Sequence, residues 1–223
     1  MRRKFVFSIG EYYHIYNRGT DKRLIFTDTH DYNRFITLLY LCNNTEPVDI
    51  NHLLQGGLSF PELFSVDVGH TLVDIGAYCL MPNHFHLLVR EKEANGISLF
   101  MKKLLTAYSM YFNKKYKRTG RLFEGPFLAK HADTDEYLKY LFSYIHLNPV
   151  KLVDPKWKEN KITDRAKAKK YLAEYKFSSY LDYMRVRRGE GKILNKSAFP
   201  GYFLNFKDFE QFIDEWLSFS DLN

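Results

Sequence analysis

The positions of apolar residues divide the first two thirds of the chain into short segments of alternating or helical spacing. Segment 12–17 is aromatic and β-branched and ends at an Arg-Gly-Thr-Asp turn signal, which predicts a first strand. Apolar residues at helical spacing predict a helix over about 30–42, and Asp28 or Thr29 can cap its start. Segment 43–69 contains asparagine, glycine and proline breakers, and we interpret it as an insertion without an assigned function.

Two further strands are predicted over 72–80 and 84–90, separated by a Met-Pro-Asn turn. The shortness of this turn predicts an antiparallel hairpin. In the second strand the apolar residues occupy positions 85, 87 and 89, so His84 and His86 point to the opposite face. Both imidazoles are therefore expected on one side of the sheet.

A helix over about 97–116, a strand over 127–131 and a helix over about 135–148 complete the pattern. Pro149 ends the last helix, because the residue before a proline is displaced from the helical region. The order is strand, helix, strand, strand, helix, strand, helix. This order predicts an α+β fold with a ferredoxin-like antiparallel sheet, helices packed on it and one further helix.

The remainder of the chain is interpreted as an extension of one domain. We assign 1–185 to that domain, with an insertion at about 43–70, and 186–223 to a C-terminal extension. The extension carries residues at amphipathic helix spacing, namely Phe209, Phe212, Ile213, Trp216 and Leu217. This helix either covers part of the core or folds back near the basic surface and regulates access to it.

The composition favours a globular protein with a polyanionic partner. The 223 residues are 45% hydrophobic, which is enough to bury a full core. There are 33 lysines and arginines against 26 acidic residues, and the net charge of +7 makes nucleic acid the first candidate partner. Aromatic residues make up 17% of the chain, and rings beside basic residues can stack on bases, although most phenylalanines are expected in the core.

Cysteine usage and the apolar segments indicate the compartment. Cys42 and Cys79 provide neither a disulfide framework nor zinc-ligand spacing, which fits a reducing cytosol. The apolar run near the N-terminus is too short for a signal peptide, and no segment approaches the roughly 20 apolar residues that span a bilayer. We therefore expect a cytoplasmic protein that does not bind membranes.

The candidate catalytic and metal-binding set comprises His84, His86, Tyr144 and Asn148. Histidines two apart on a strand share one face, and residues four apart on a helix share one face, so a phenol and an amide can meet the cation held by two imidazoles. Simpler interpretations stay open. The histidines can form a solvated polar face, Asn148 can be only a helix stop, and Tyr137 or Tyr140 can be the attacking group.

Other histidines are less informative. His146 is two residues after Tyr144, roughly on the other side of the helix, and is interpreted as structural. His14 on the first strand and His131 on the last strand can neighbour the site, but spacing alone does not decide this.

A basic segment with interleaved rings follows the helix over 97–116. The candidate DNA-binding residues there are Lys114, Lys115, Tyr116, Lys117, Arg118, Arg121 and Phe123. They can neutralise phosphates and stack on bases, and Arg18 and Arg23 in the first turn are a second candidate contact. The alternative is a solvated charged surface.

Four separated stretches, in order along the chain, resemble one family: YYHIYNRGTDKRLIF, AYCLMPNHFHLLV, YFNKKYKRTGRLFEGPF and YIHLNPVK. They resemble the single-tyrosine HUH transposases of bacterial insertion sequences, the IS200-like family, and most closely its REP-associated tyrosine transposases. The similarity covers about 12–183. It implies a ferredoxin-like catalytic domain that cuts and rejoins single-stranded DNA, often beside a hairpin, with Mg²⁺ or Mn²⁺.

The resemblance also implies a role for each residue of the candidate set. His84 and His86 match the metal-binding pair, Tyr144 matches the nucleophile, and Asn148 matches a polar ligand one helical turn later. A tyrosine nucleophile would leave a 5′-phosphotyrosine and a free 3′-hydroxyl, and reversal would rejoin the strand without ATP. Ligand chemistry alone would rank zinc, nickel or manganese ahead of magnesium.

The expected function is DNA transposition or recombination by metal-dependent cleavage and rejoining of single-stranded or hairpin DNA. One alternative is a DNA-hairpin-binding regulator that keeps the fold without cleaving. Another is a replication-initiator-like nickase, although such proteins carry further domains for which this chain has little room. The resemblance leaves both a monomer and a homodimer open.

Overall fold

A four-stranded sheet forms the centre of the computed structural model, which describes residues 6–157 and 162–218. The strands are β1 (Tyr12–Arg18), β2 (Val73–Met81), β3 (His84–Glu91) and β4 (Leu128–His131). Their order in the sheet is β2-β3-β1-β4, and every neighbouring pair is antiparallel. The predicted α+β fold with a ferredoxin-like antiparallel sheet is confirmed.

Helices cover both faces of this sheet. They are α1 (Thr29–Leu41), α2 (Ile50–Gln55), α3 (Gly96–Lys115), α4 (Asp135–Leu147), α5 (Arg165–Glu174), α6 (Tyr180–Tyr183) and α7 (Phe206–Ser218). The Asp28 side chain caps α1 by accepting from the Asp31 amide at 3.0 Å, and Thr134 caps α4 in the same way. Within the described residues no helix has both the length and the apolar content to cross a lipid bilayer.

Two details of the predicted elements differ from the structure. The α-helix predicted to reach position 148 ends at Leu147, and the chain continues through Pro149 as a 3-10 turn over Asn148–Leu152. Proline is accepted there because it occupies the start of the new turn, where no backbone donor is needed. The insertion over 43–69 contains α2 and a 3-10 turn over Glu62–Ser65, which were too short to give a periodic signal.

The sheet separates two apolar cores. Phe85, Leu87 and Val89 of β3 pack toward α1 and α3 in the first core. The opposite face of the sheet packs against α4, with Leu88 of β3 and Leu141 of α4 in the second core. The alternation predicted for β3 is therefore confirmed, and α4 lies on the face to which the two even-numbered histidines point.

The C-terminal part of the chain completes the second core. Phe199, Phe209 and Ile213 are buried there together with residues of α4. This agrees with the interpretation of the last helix as a cover for apolar surface. The proposed boundary between 185 and 186 stays a prediction, and the parts of the two assigned segments at 1–5, 158–161 and 219–223 lie outside the described residues.

The outer edge of β2 is paired with a later segment of the chain. The Leu80 amide donates to the Phe177 carbonyl at 2.9 Å, and the Ser179 amide donates to the Tyr78 carbonyl at 2.9 Å. Between these bonds Cys79 and Ser178 form an isolated antiparallel bridge. The segment 177–179 therefore continues the hydrogen bonding of the sheet beyond β2.

A buried carboxylate joins the start of α1 to the end of α3. Asp31 is fully buried and accepts hydrogen bonds from Lys115 at 2.7 Å, from Tyr111 at 2.8 Å and from Tyr116 at 2.8 Å. The Thr27 amide donates to it at 2.9 Å. Burial raises the pKa of Asp31, but the hydrogen bonds from Lys115, Thr27 and the two phenols outweigh burial and lower the pKa from 3.8 to about 2.

We predict that Asp31→Asn lowers the free energy of unfolding by about 2–3 kcal/mol at neutral pH, because buried donors lose a charged acceptor. The carboxylate's contribution is complete above its unfolded pKa and is lost as pH falls through the folded pKa. As the pH falls from about 5 to about 2, the free energy of unfolding of the wild type should therefore decrease more than that of the variant. Urea unfolding at several pH values measures this, and parallel pH profiles of the two proteins would contradict it.

Gly76 lies where β2 is irregular and where the C-terminal extension approaches the sheet. The pairing between β2 and β3 shifts register between Ile75 and Ala77. A Cβ atom at position 76 would lie 2.7 Å from the ring of Phe199. That ring is buried and packs edge-on against Phe142 of α4, so it has little room to move.

Gly76→Ala should lower the free energy of unfolding by about 1–3 kcal/mol, the usual range for overpacking a core. Gly201→Ala is the matched control, because a Cβ atom there meets nothing within 4 Å. In a Phe199→Leu background the cost of Gly76→Ala should fall by at least about half, because the clashing ring is gone. Denaturant unfolding of the four variants checks this, and an equal cost in both backgrounds would refute the packing argument.

Candidate functional site

The pairing of β1 with β3 determines which side chains meet on the α4 side of the sheet. Tyr16 pairs with His86 and Arg18 pairs with His84, so these four side chains share one face. His14 lies two residues before Tyr16 on the same face, diagonal to His86. The face therefore carries three histidines, although the described residues contain no group of three or more His, Cys, Asp or Glu arranged to hold a metal.

The imidazoles are arranged in a short row. His14 Nε2 and His86 Nδ1 are 2.9 Å apart, and both residues are buried. The rings of His86 and His84 are 5.0 Å apart and nearly perpendicular. His84 Nδ1 lies 2.7 Å from Asn83 Oδ1, which can only accept, so His84 Nδ1 carries the proton and Nε2 keeps its lone pair.

Tyr144 of α4 stands above this row. Its ring centre is 5.4 Å from that of His86 and 5.6 Å from that of His14, and both contacts are edge-on. Tyr144 is half-buried between the sheet and the surface. The structure thus brings together the phenol and the imidazoles, although they are far apart in the sequence.

The two alternative tyrosines lie nearer the N-terminal end of α4. Tyr140 contacts Tyr144 with ring centres 5.8 Å apart, and Tyr137 contacts Tyr140 at 6.0 Å. The Lys130 ammonium lies over the Tyr137 ring at 4.2 Å from its centre. This arrangement favours Tyr144 as the phenol of the site.

Asn148 lies one helical turn after Tyr144, in the 3-10 turn that follows α4. Its Nδ2 donates to the Tyr144 carbonyl at 2.7 Å, and the residue is 1% exposed. Asn148 Oδ1 is buried and has no hydrogen-bond partner within the part of the chain that the structure describes. Because an unpaired buried acceptor is costly, this oxygen suits a cation.

Burial controls the charge of the imidazoles. Burial, assisted by Lys151 and Arg18, lowers the pKa of His84 to about 4. Burial, assisted by Lys130, lowers the pKa of His14 to about 4 as well. Both rings are therefore neutral at pH 7, and the neutral imidazole is the form that binds metals.

The phenol is not activated by its surroundings alone. Burial raises the pKa of Tyr144, and the neighbouring Tyr137 and Tyr16 raise it further, while a hydrogen bond with Asn148 acts in the opposite direction. A neutral phenol is a weak nucleophile. Attack by this group therefore requires positive charge close to the reacting phosphate.

The donor atoms fit the divalent metal that the family resemblance implies. The imidazole nitrogens of His84 and His86 and the unpaired amide oxygen of Asn148 are a mixed nitrogen and oxygen set, which Mn²⁺ accepts readily and Mg²⁺ accepts less well. His84, His86 and Asn148 would hold the ion. The ion would neutralise the negative charge on a non-bridging phosphate oxygen.

Tyr16 is a part of the site that the sequence analysis did not identify. The Tyr16 ring is 4.9 Å from that of His14 and 6.0 Å from that of His86. The signal was present in the alternation of β1, where His14 and Tyr16 share a face, but only the strand pairing shows that this face meets His86.

Two histidines considered from the sequence lie outside the site. His131 stacks on Tyr13 on the other face of the sheet and lies 2.8 Å from a Glu11 carboxylate oxygen. His146 is fully buried, with Nδ1 2.8 Å from the Phe142 carbonyl and Nε2 2.7 Å from Ser179 Oγ. These contacts support the interpretation of His146 as structural.

The candidate DNA-binding residues are divided by the fold. Lys115 and Tyr116 are engaged with Asp31, and Phe123 is buried in the first core. Arg118 donates to the Asn113 side chain at 3.2 Å. Lys114, Lys115, Lys117 and Arg121 are exposed, and of these the Lys115 ammonium forms ion pairs with Asp28 and Asp31.

The two arginines of the first turn are paired within the chain. Arg18 forms two hydrogen bonds to Glu124, each of 3.0 Å, and both side chains remain partly exposed. Arg23 donates to the Thr20 carbonyl at 2.9 Å and contacts Asp21. Of the two, Arg18 lies beside His84 and is therefore close to the site.

Comparison with known proteins agrees with the resemblance seen in the sequence. Residues 61–148 match the family model of the IS200-like transposases, and this segment contains all four residues of the candidate set. The match confirms the family resemblance and indicates DNA processing of the transposase type. No curated protein matches the chain significantly.

A solved structure of a REP-associated tyrosine transposase bound to a REP hairpin is similar to this chain at 11% sequence identity. The alignment covers 83% of this chain and 85% of that chain, with a TM-score of 0.47.

We predict that the protein binds Mn²⁺ more tightly than Mg²⁺, and that replacing both His84 and His86 by alanine weakens Mn²⁺ binding by at least about 100-fold. Titration calorimetry measures both affinities. His131→Ala is the matched control, because this histidine lies on the other face of the sheet, and it should leave the affinity unchanged. If neither ion binds the wild type, the site is not a metal centre.

Proposed function

We propose that this protein cuts and rejoins single-stranded DNA through a covalent 5′-phosphotyrosine on Tyr144, as a transposase of insertion-sequence or repeat-associated type. The observation that carries the proposal is the position of the Tyr144 ring, edge-on to His86 at 5.4 Å and to His14 at 5.6 Å. A tyrosine phenol beside imidazoles that can bind a cation is the arrangement needed for nucleophilic attack on a phosphate. The family match over 61–148 supports the same substrate class.

The reaction consists of two transesterifications at phosphorus. The Tyr144 oxygen attacks the scissile phosphate, its proton is lost, and the bond to the 3′ oxygen breaks as that oxygen gains a proton. The 5′ end is then a phosphotyrosine. Attack by a 3′-hydroxyl on this ester reverses the step, so the phosphodiester energy is kept and no nucleotide cofactor is consumed.

The chain's own residues would orient this reaction. Tyr144 is fixed by α4, and Asn148 ties the end of that helix to the Tyr144 carbonyl. A well-positioned nucleophile and phosphate can remove much of the entropic barrier. Arg18, beside His84, can contact the DNA phosphate when that phosphate displaces Glu124.

The remainder of the DNA would lie on basic surface outside the site. The proposed contacts are the exposed residues Lys114, Lys117 and Arg121, with Arg23 and the flanking Lys115, Tyr116, Arg118 and Phe123 shaping that surface. Hairpin DNA or a plain single strand can bind in this way through phosphate neutralisation. A cytoplasmic location agrees with such a substrate.

A single chain contains every residue that the proposal uses. Tyr144 lies over histidines of its own chain, so a monomer is sufficient for the chemistry. A homodimer is compatible with the same site. The non-cleaving hairpin-binding regulator and the replication-initiator-like nickase stay alternatives, but the meeting of the phenol with the histidines favours an active enzyme over the regulator.

We predict that the wild type, incubated with Mn²⁺ and a labelled single-stranded oligonucleotide, forms a covalent protein–DNA band on a denaturing gel. Tyr144→Phe should reduce this band by at least about 1000-fold, because the ring keeps its packing while the attacking oxygen is removed. Tyr140→Phe is the matched control one turn earlier on α4 and should stay within about threefold of wild type. A covalent band that persists in Tyr144→Phe would assign the nucleophile elsewhere.

A further inference from the structure

His14 is the buried neighbour of a proposed metal ligand. Its Nε2 lies 2.9 Å from His86 Nδ1, and each residue is 6% exposed. We propose that His14 is a positioning residue: it accepts the Nδ1 proton of His86 and so leaves the lone pair of His86 Nε2 for the divalent cation. The inference rests on the proposed function, because it concerns the same metal site.

The number of protons between the two rings limits the tautomers that His86 can adopt. Two imidazole nitrogens at 2.9 Å share one proton, and a neutral imidazole carries one N–H in total. If His14 Nε2 carried the shared proton, His86 would carry its own proton on Nε2 and would have no lone pair there. If His86 Nδ1 carries it, His86 Nε2 can bind a metal. Only the second arrangement is compatible with ligation.

His84, the other proposed metal-binding histidine, shows how a fixed hydrogen-bond acceptor sets the tautomer of an imidazole. Asn83 Nδ2 donates to the Lys22 carbonyl at 3.1 Å, and this bond turns Asn83 Oδ1 toward His84 Nδ1. His84 therefore has its Nε2 lone pair set by an atom that can only accept. His14 differs because its Nε2 can accept or donate, so the proton between the two rings can lie on either residue.

The position of His14 makes it difficult to replace. His14 pairs with Lys130 of β4, and its ring contacts that of Tyr16 on the same strand. The ring of Tyr144 lies edge-on to it at 5.6 Å. Because both imidazoles are buried, water has little access to the shared proton. Removing the acceptor would leave a buried His86 N–H unsatisfied or would move the proton to His86 Nε2.

Two variants separate the acceptor from the shape of the residue. His14→Phe keeps a ring of similar size but has no acceptor, whereas His14→Gln places an amide oxygen within reach of His86 Nδ1. We expect His14→Phe to weaken Mn²⁺ binding by about 10- to 100-fold, the usual effect of losing an outer hydrogen-bond partner of a metal-bound histidine. His14→Gln should stay within about fivefold of wild type. His131→Phe, on the other face of the sheet, should have no effect.

The tautomer of His86 gives a readout that does not depend on DNA cleavage. Long-range ¹H–¹⁵N NMR spectra of the Mg²⁺-loaded protein should show the His86 proton on Nδ1 in the wild type and in His14→Gln. Thermal unfolding of each variant checks that the fold is kept. Unchanged Mn²⁺ affinity in folded His14→Phe, or a proton on His86 Nε2 in the metal-loaded wild type, would overturn the proposal.

The same measurements distinguish this inference from the proposed function. If wild type forms no covalent DNA adduct but His14→Phe still weakens Mn²⁺ binding selectively, the cleavage proposal fails and the positioning role stands. If the adduct forms through Tyr144 but His14→Phe binds Mn²⁺ normally, the positioning role fails alone. If the wild type binds neither Mn²⁺ nor Mg²⁺, the positioning role fails as well.

Discussion

The register between β1 and β3 is the constraint on which the proposed site depends. Side chains alternate between faces along a strand, so a slip of one residue would turn His14 and Tyr16 into the first core and bring Tyr13 to the site. Such a slip would also bury a polar imidazole among apolar side chains and expose Ile15, which is fully buried. The packing of the first core thus selects the register that brings the imidazoles together on the other face.

The second requirement is a fixed α4, and the C-terminal extension supplies it. Phe142 of α4 is buried against Phe199, Tyr202 and Phe203 of the extension. On the same helix, the His146 side chain is hydrogen-bonded to that of Ser179, close to the edge of β2. The aromatic and polar contacts together hold the helix on both sides of Tyr144, so the packing of α4 determines where the phenol lies.

Local sequence patterns were sufficient to predict much of the fold and half of the site. The hairpin, the alternation around His84 and His86 and the spacing of Tyr144 with Asn148 are all set by residues close in sequence. The contact of His14 with His86 was not predictable, because it depends on which strands become neighbours. Likewise, nothing near Lys115 in sequence reveals that a buried carboxylate of α1 occupies its ammonium group.

The pairing of segment 177–179 with β2 has a consequence for self-association. An unpaired strand edge is a template on which another polypeptide can add as a further strand, and this segment occupies that template on the β2 side. Within the described residues the opposite edge of the sheet is β4, which spans only Leu128–His131 and carries the cationic Lys130. Intermolecular sheet extension and amyloid-like templating are therefore disfavoured at both edges.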